Sequence, residues 1–215
     1  CKIDLISDIV NEFPELQGIM GGYFASSQGF DKDISLAISE HYLPTGLDSR
    51  VPKKPFSITL ALTDKLDTLV GFFGINQKPT SSKDPYALRR SALGIIRLLL
   101  ENKKEFKLSD LINYSISLYK DQGFKFKNDN VQKDLSLFLV DRLKFYMKEK
   151  DIRYDIIEAS INSFSIDNAS KIYNKAIALN KFIINSFGKD IIASYKRASN
   201  ILENELKNKE LDLSN

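Results

Sequence analysis

Residues 78–97 read "KPTSSKDPYALRRSALGIIR", and how this stretch enters a helix decides the fold class. Lys78-Pro79-Thr80-Ser81-Ser82 is turn chemistry. Asp84-Pro85 is a helix start, because a carboxylate caps free N–H groups and proline costs nothing at the first helical position. A helix is therefore predicted from about Pro85. Leu88, Ala92, Ile95 and Leu99 recur at helical intervals and predict its buried stripe. Arg90, Gly94, Arg97 and Glu101 form a second stripe, in which a glycine between two arginines removes the side chain that would hold a partner's backbone away. That face is open to two readings. Either it accepts a phosphate chain, or Gly94 only lets another helix approach while the arginines are solvated surface.

Outward from this stretch, helical spacing dominates and no sustained period-2 alternation of a half-buried strand occurs. The expected class is all-α. The pattern predicts helices near residues 2–13, 15–26, 31–42, 56–70, 85–103, 109–121, 130–149, 154–163, 168–186 and 189–208. Residues 43–55, "LPTGLDSRVPKKP", carry three prolines and a glycine and predict a loop. Residues 71–84 predict another, with glycines and a proline ending one helix before Asp84 opens the next. After about residue 107 the texture shifts toward Asn, Lys, Ile and Tyr, which predicts two units, residues 1–107 and 108–215.

The 215 residues are 43% hydrophobic and 27% charged, an ordinary globular composition. No apolar run reaches the roughly 18 to 20 residues needed to cross a bilayer, so no membrane span is expected. A single cysteine excludes an internal disulfide framework and a cysteine-based zinc site. With no basic-then-apolar leader in these residues, the expected compartment is a bacterial-type cytoplasm. The chain opens at Cys1 inside an amphipathic pattern that runs through Ile9, Val10 and Phe13, without an initiating methionine, and is expected to be a fragment of a longer protein. Its polar end, "LKNKELDLSN", is expected to be frayed. The net charge of +3 hides an asymmetry. Residues 1–48 carry eight acids against Lys2 and Lys32, whereas residues 76–107 carry eight bases against Asp84, Glu101 and Glu105. A local basic cluster beside an acidic region is the footprint of a nucleic-acid contact.

Gly18, Gly21 and Gly22 in "ELQGIMGGYFA" look like a phosphate-binding loop, but no strand precedes them and no Lys-Thr pair follows, so close packing of two helices is the expected role. His41, Asp64 and Asp67 invite a metallohydrolase reading. Such sites need several imidazoles, the chain has one histidine, and no metal is expected. Asp64 and Asp67 are expected to pair with Lys65 or neighbouring arginines, or to cap a loop. No serine has the strained, glycine-flanked turn of a nucleophile, and no catalytic set is found. The aromatics sit mostly at core spacing, as do Phe138, Phe145 and Tyr146, leaving base stacking as a secondary reading.

Three stretches, "CKIDLISDIVNEFPELQGIMGGYFA", "ALTDKLDTLVGFFGINQKPTSSKDPYALRRSALGIIR" and, more faintly, "SYKRASNIL", together resemble the β subunit of the bacterial heterotetrameric glycyl-tRNA synthetases. The order and spacing of "EFPELQG", "DKLDTLVGFF" and "KDPYALRR" carry the resemblance, which is dense over residues 1–100 and thins toward 203. The family pattern often has glycine where this chain has Asn76 and Ser81, and alanine in place of Thr63. Asparagine tolerates the left-handed backbone that glycine allows. The resemblance implies a central fragment in which residues 1–107 form a degenerate HD-type helical domain and residues 108–215 a helical body or linker. It implies that glycine is activated with ATP and magnesium on the α subunit, that this part holds no cofactor, and that its partners are the α subunit and tRNA(Gly), not DNA or membrane. Lys78, Lys83, Arg89, Arg90 and Arg97 then become the expected phosphate contacts, near the acceptor end of the tRNA. Two other readings stay open: a surviving HD-type phosphohydrolase, and a structural module joining the subunits.

Overall fold

Ser7 adopts an extended backbone (φ −89°, ψ 143°), and its hydroxyl both donates to the Asp4 carbonyl at 2.6 Å and accepts from the Val10 amide. These bonds stop one helix and start another, so the single helix expected over 2–13 is instead a 3-10 turn at Ile3–Ile6 followed by α1 (Asp8–Glu12). A second 3-10 turn at Pro14–Leu16 leads to α2 (Ile19–Ser27), which packs on α3 (Lys32–Glu40). The break lets the buried Asp4 carboxylate turn inward and accept from the amides of Gly18 and Gly21, at 2.6 and 3.3 Å. The glycine-rich turn that imitates a phosphate loop is thus filled by the chain's own carboxylate. Gly22 packs as expected, since a Cβ there would lie 2.8 Å from Ser39 of α3.

The computed structural model describes residues 1–80, 82–161 and 166–208. Among them lie seven further helices: α4 (Pro55–Gly74), α5 (Leu88–Glu101), α6 (Leu108–Asp121), α7 (Val131–Glu149), α8 (Tyr154–Ile161), α9 (Ala169–Ile184) and α10 (Ser186–Asn208). No strand occurs in the described residues, and the all-α class holds. The loop expected over 43–55 is present up to residue 54, Pro55 being the first residue of α4. The expected break at Gly71 is not, and α4 runs on to Gly74, because both glycines face aromatic neighbours: Tyr119 lies against Gly71 and Phe126 against Gly74. There, glycine serves close approach inside a helix and not its termination. Only Asn185 separates α9 from α10, against an expected gap of two residues; the end of the helix expected over 154–163 falls outside the described residues.

α5 is the centre of the molecule. It packs on α4, α7 and α9, and every residue from Ala92 to Leu99 is buried. The middle of α5 is covered all round and has no solvent face, so Gly94 and Arg97 of the second expected stripe are interior, while Arg90 and Glu101 at its two ends are exposed. The core runs on past residue 107 through Leu108, Ile112, Leu135, Leu139 and Leu143 to Ala176. α10 exposes Phe187, Ile191, Tyr195, Leu202 and Leu206.

Candidate nucleic-acid interface

The segment between α4 and α5 is shaped by left-handed residues and one carboxylate. Asn76 takes φ 64°, the conformation expected of it, whereas Ser81 lies outside the described residues. Asp84 caps α5 through both oxygens, which accept from the amides of Leu88 at 2.8 Å and Arg89 at 2.9 Å. The cap is as expected, but the helix begins three residues later than Pro85, because Pro85 and Tyr86 form a turn and Ala87 is left-handed at φ 53°. The displaced start swings Tyr86 onto Phe72 of α4, with ring centroids 4.1 Å apart and planes at 24°.

The five expected phosphate contacts fall into four environments. Lys83 and Arg90 are exposed, and neither charged group bonds to a partner among the described residues. Arg89 is half-buried and donates to the Thr80 carbonyl; its charge lies near Arg142 of α7, whose pKa is held below its ordinary value by burial and then by Arg89. Lys78 is bound to Asp134 at 2.6 Å, an acid that also accepts from Asn128 at 3.0 Å, so it ties the segment to α7. Arg97 departs from the surface reading altogether. Only 6% of it is exposed, its Nε donates to Glu101 at 2.7 Å, and its Nη1 donates to the Gly46 carbonyl and, at 3.4 Å, to Ser49. That guanidinium holds the 43–55 loop down onto α5. Gly94, its neighbour one turn back, makes room for Lys65: a Cβ there would lie 2.6 Å from Lys65 Cε.

Arg90 lines a cleft of about 520 Å³, whose walls include Lys2, Lys65, Tyr42, Tyr86, Glu15 and Asp64. Asp64 pairs with Lys2 at 2.6 Å, not with Lys65 as expected. The Lys65 ammonium instead donates to the carbonyls of His41, Tyr42 and Leu43, at 3.1, 3.1 and 2.9 Å, and so satisfies the turn that follows α3. Its burial pushes its pKa down to about 8. His41 is fully buried, donates through Nδ1 to the Ile38 carbonyl at 2.6 Å, and is held below the usual imidazole pKa by burial. Asp67 accepts through its backbone carbonyl from Tyr119 at 3.2 Å. Among the described residues no three His, Cys, Asp or Glu side chains converge as a metal-binding group, and no helix is long and apolar enough to cross a membrane.

Sequence reasoning missed Lys2, Lys65 and Tyr86 as cleft residues. Tyr86 had a signal, an aromatic between Lys83 and the Arg89-Arg90 pair. Lys2 and Lys65 had none, because they reach the cleft from elements far apart in sequence.

A family model described as glycyl-tRNA synthetase beta subunit matches residues 1–162. The chain is 47% identical over 204 residues to the glycine–tRNA ligase beta subunit of Rickettsia canadensis, covering 94% of this chain and 29% of that protein. It is 48% identical over 202 residues to that of Rickettsia africae, with 94% and 29% covered. To that of Rhodospirillum centenum it is 42% identical over 208 residues, with 96% and 28% covered. The chain therefore spans less than a third of the length of these curated relatives. With a family match over three quarters of its residues, and with the "KDPYALRR" segment folded as the capped entry to its central helix, the chain belongs to the glycyl-tRNA synthetase beta subunit family.

Proposed function

We propose that this chain is the tRNA-positioning part of a glycine–tRNA ligase beta subunit. In this reading it grips phosphates of tRNA(Gly) while glycine is activated with ATP and magnesium on a separate α subunit, in the cytoplasm. Residues 1–107 are then a degenerate HD-type unit and residues 108–215 a helical body, joined through one core. The observation that carries the proposal is the pair of exposed cations, Lys83 and Arg90, at the entry to α5, whose charged groups have no partner among the described residues. A charge left unspent by the fold is available to a phosphate without first breaking an internal bond. Arg89 adds positive potential beside Arg142, and Lys78 sets the segment's position through Asp134. Phosphate contacts of this kind fix register and orientation without reading sequence, which suits a subunit that positions an RNA for chemistry elsewhere.

The test is a filter-binding titration of the chain against tRNA(Gly) between about 50 and 200 mM salt. Log affinity should fall linearly with log salt, and the Lys83→Ala/Arg90→Ala double variant should lower the slope by roughly 1.5 to 2. Unchanged affinity and slope in that variant would overturn the assignment.

A further inference from the structure

Tyr86 stands between two concavities. One is the 520 Å³ cleft with Arg90 on its wall; the other is a 190 Å³ hollow bounded by Lys83, and Tyr86 lines both. Phe72 covers one face of the ring at 4.1 Å and holds it in place, while 45% of Tyr86 stays exposed. The larger cleft is net positive, with Lys2, Lys65 and Arg90 against Glu15 and Asp64, and Asp64 is already neutralised by Lys2. An exposed aromatic ring supported from behind, with an unspent cation on each side, suits an unpaired nucleotide. The base has a π-face for the ring, and the phosphates before and after it meet the two charges. A duplex cannot use the ring in this way, because its bases are stacked on one another.

We propose that Tyr86 is a stacking platform for an unpaired nucleotide of bound RNA, the flanking phosphates being held by Arg90 on one side and Lys83 on the other. The inference rests on the RNA-positioning reading above and adds to it that the RNA is single-stranded at this point. Fluorescence anisotropy of the chain with three probes tests it: an unpaired oligoribonucleotide, a blunt RNA duplex of the same length, and AMP as competitor. The oligonucleotide should bind more tightly than the duplex. Tyr86→Leu keeps apolar contact with Phe72 but cannot stack, and should weaken single-strand binding about tenfold with the salt slope unchanged. Tyr86→Phe should bind as the wild type does, and Lys83→Ala and Arg90→Ala should each lower the slope by roughly 0.7. A measurement that needs no variant is photo-cross-linking of an oligonucleotide carrying 4-thiouridine, which should label Tyr86 by peptide mass spectrometry.

Unchanged affinity in Tyr86→Leu, or cross-links only elsewhere, would overturn the platform while the slope losses of the cation variants kept the phosphate contacts. No binding of either RNA or of tRNA(Gly) would overturn both. AMP competing with an affinity equal to that of the oligonucleotide would replace the strand with a free-nucleotide site.

Discussion

Lys65 carries a charge into the interior because three carbonyls need it. Its side chain is 4% exposed, Asp64 and Lys2 are the charges that face it, and its pKa falls from 10.5 to about 8 chiefly by desolvation. Between these two values the unfolded chain holds a proton that the folded chain has released, so this group makes stability rise with pH across that window. Below pH 8 the burial of the charge costs about 3 kcal/mol, and the cost is relieved by pH 10.5. Lys65→Met removes the titration while keeping the volume. Urea unfolding from pH 8 to 10.5 should therefore show the wild type gaining on the variant by an amount of this order. Parallel pH profiles for the two proteins would show that Lys65 does not titrate in this range.

At the scale of the element, α5 explains why two arginines seven residues apart have opposite roles. Arg90 lies in its first turn and is exposed, and Arg97 lies in the buried middle of the helix, where it bonds Gly46 and Ser49 of the loop before α4 and Glu101 of its own helix. Arg97→Ala removes three hydrogen bonds from a buried guanidinium and should cost about 2–3 kcal/mol of unfolding free energy. Arg97→Lys should not rescue it, since one ammonium cannot reproduce the planar fork. Arg90→Ala should stay within about 0.5 kcal/mol of the wild type, as exposed substitutions do. Chemical denaturation of the three variants reads both outcomes, and equal losses at the two arginines would refute the assignment of Arg97 to the fold.

At the scale of the whole molecule, the two features that most resemble catalytic machinery, the glycine-rich turn and the Asp64 carboxylate, are committed to holding the chain together. The glycine-rich turn is closed by Asp4, and Asp64 is paired with Lys2. Adenylate formation demands preorganised groups aimed at ATP phosphates, magnesium and the amino acid, and these acids are not arranged for it. The chain alone should catalyse no glycine-dependent pyrophosphate exchange, even at high protein concentration, while binding tRNA in a salt-dependent way. Exchange that survives purification to homogeneity would put the catalytic groups in this chain.

The amino-acid sequence by itself determined the helical class, the 43–55 loop, the Asp84 cap, the left-handed Asn76 and the family, because each rests on neighbours within a few residues or on the order of short motifs. Tertiary structure decided the rest. Periodicity says that α5 has an apolar face, but not how many elements surround it, and packing on α4, α7 and α9 leaves Ala92 to Leu99 buried, Gly94 and Arg97 included. No local pattern shows that Asp4 reaches Gly18, that Lys65 bonds the turn after α3, or that Lys2 takes Asp64. The five basic residues were all visible in the sequence, yet only packing separates Lys83 and Arg90 from Lys78 and Arg97. A charge becomes available for binding by what the fold leaves unpaired, and that depends on contacts made across the whole chain.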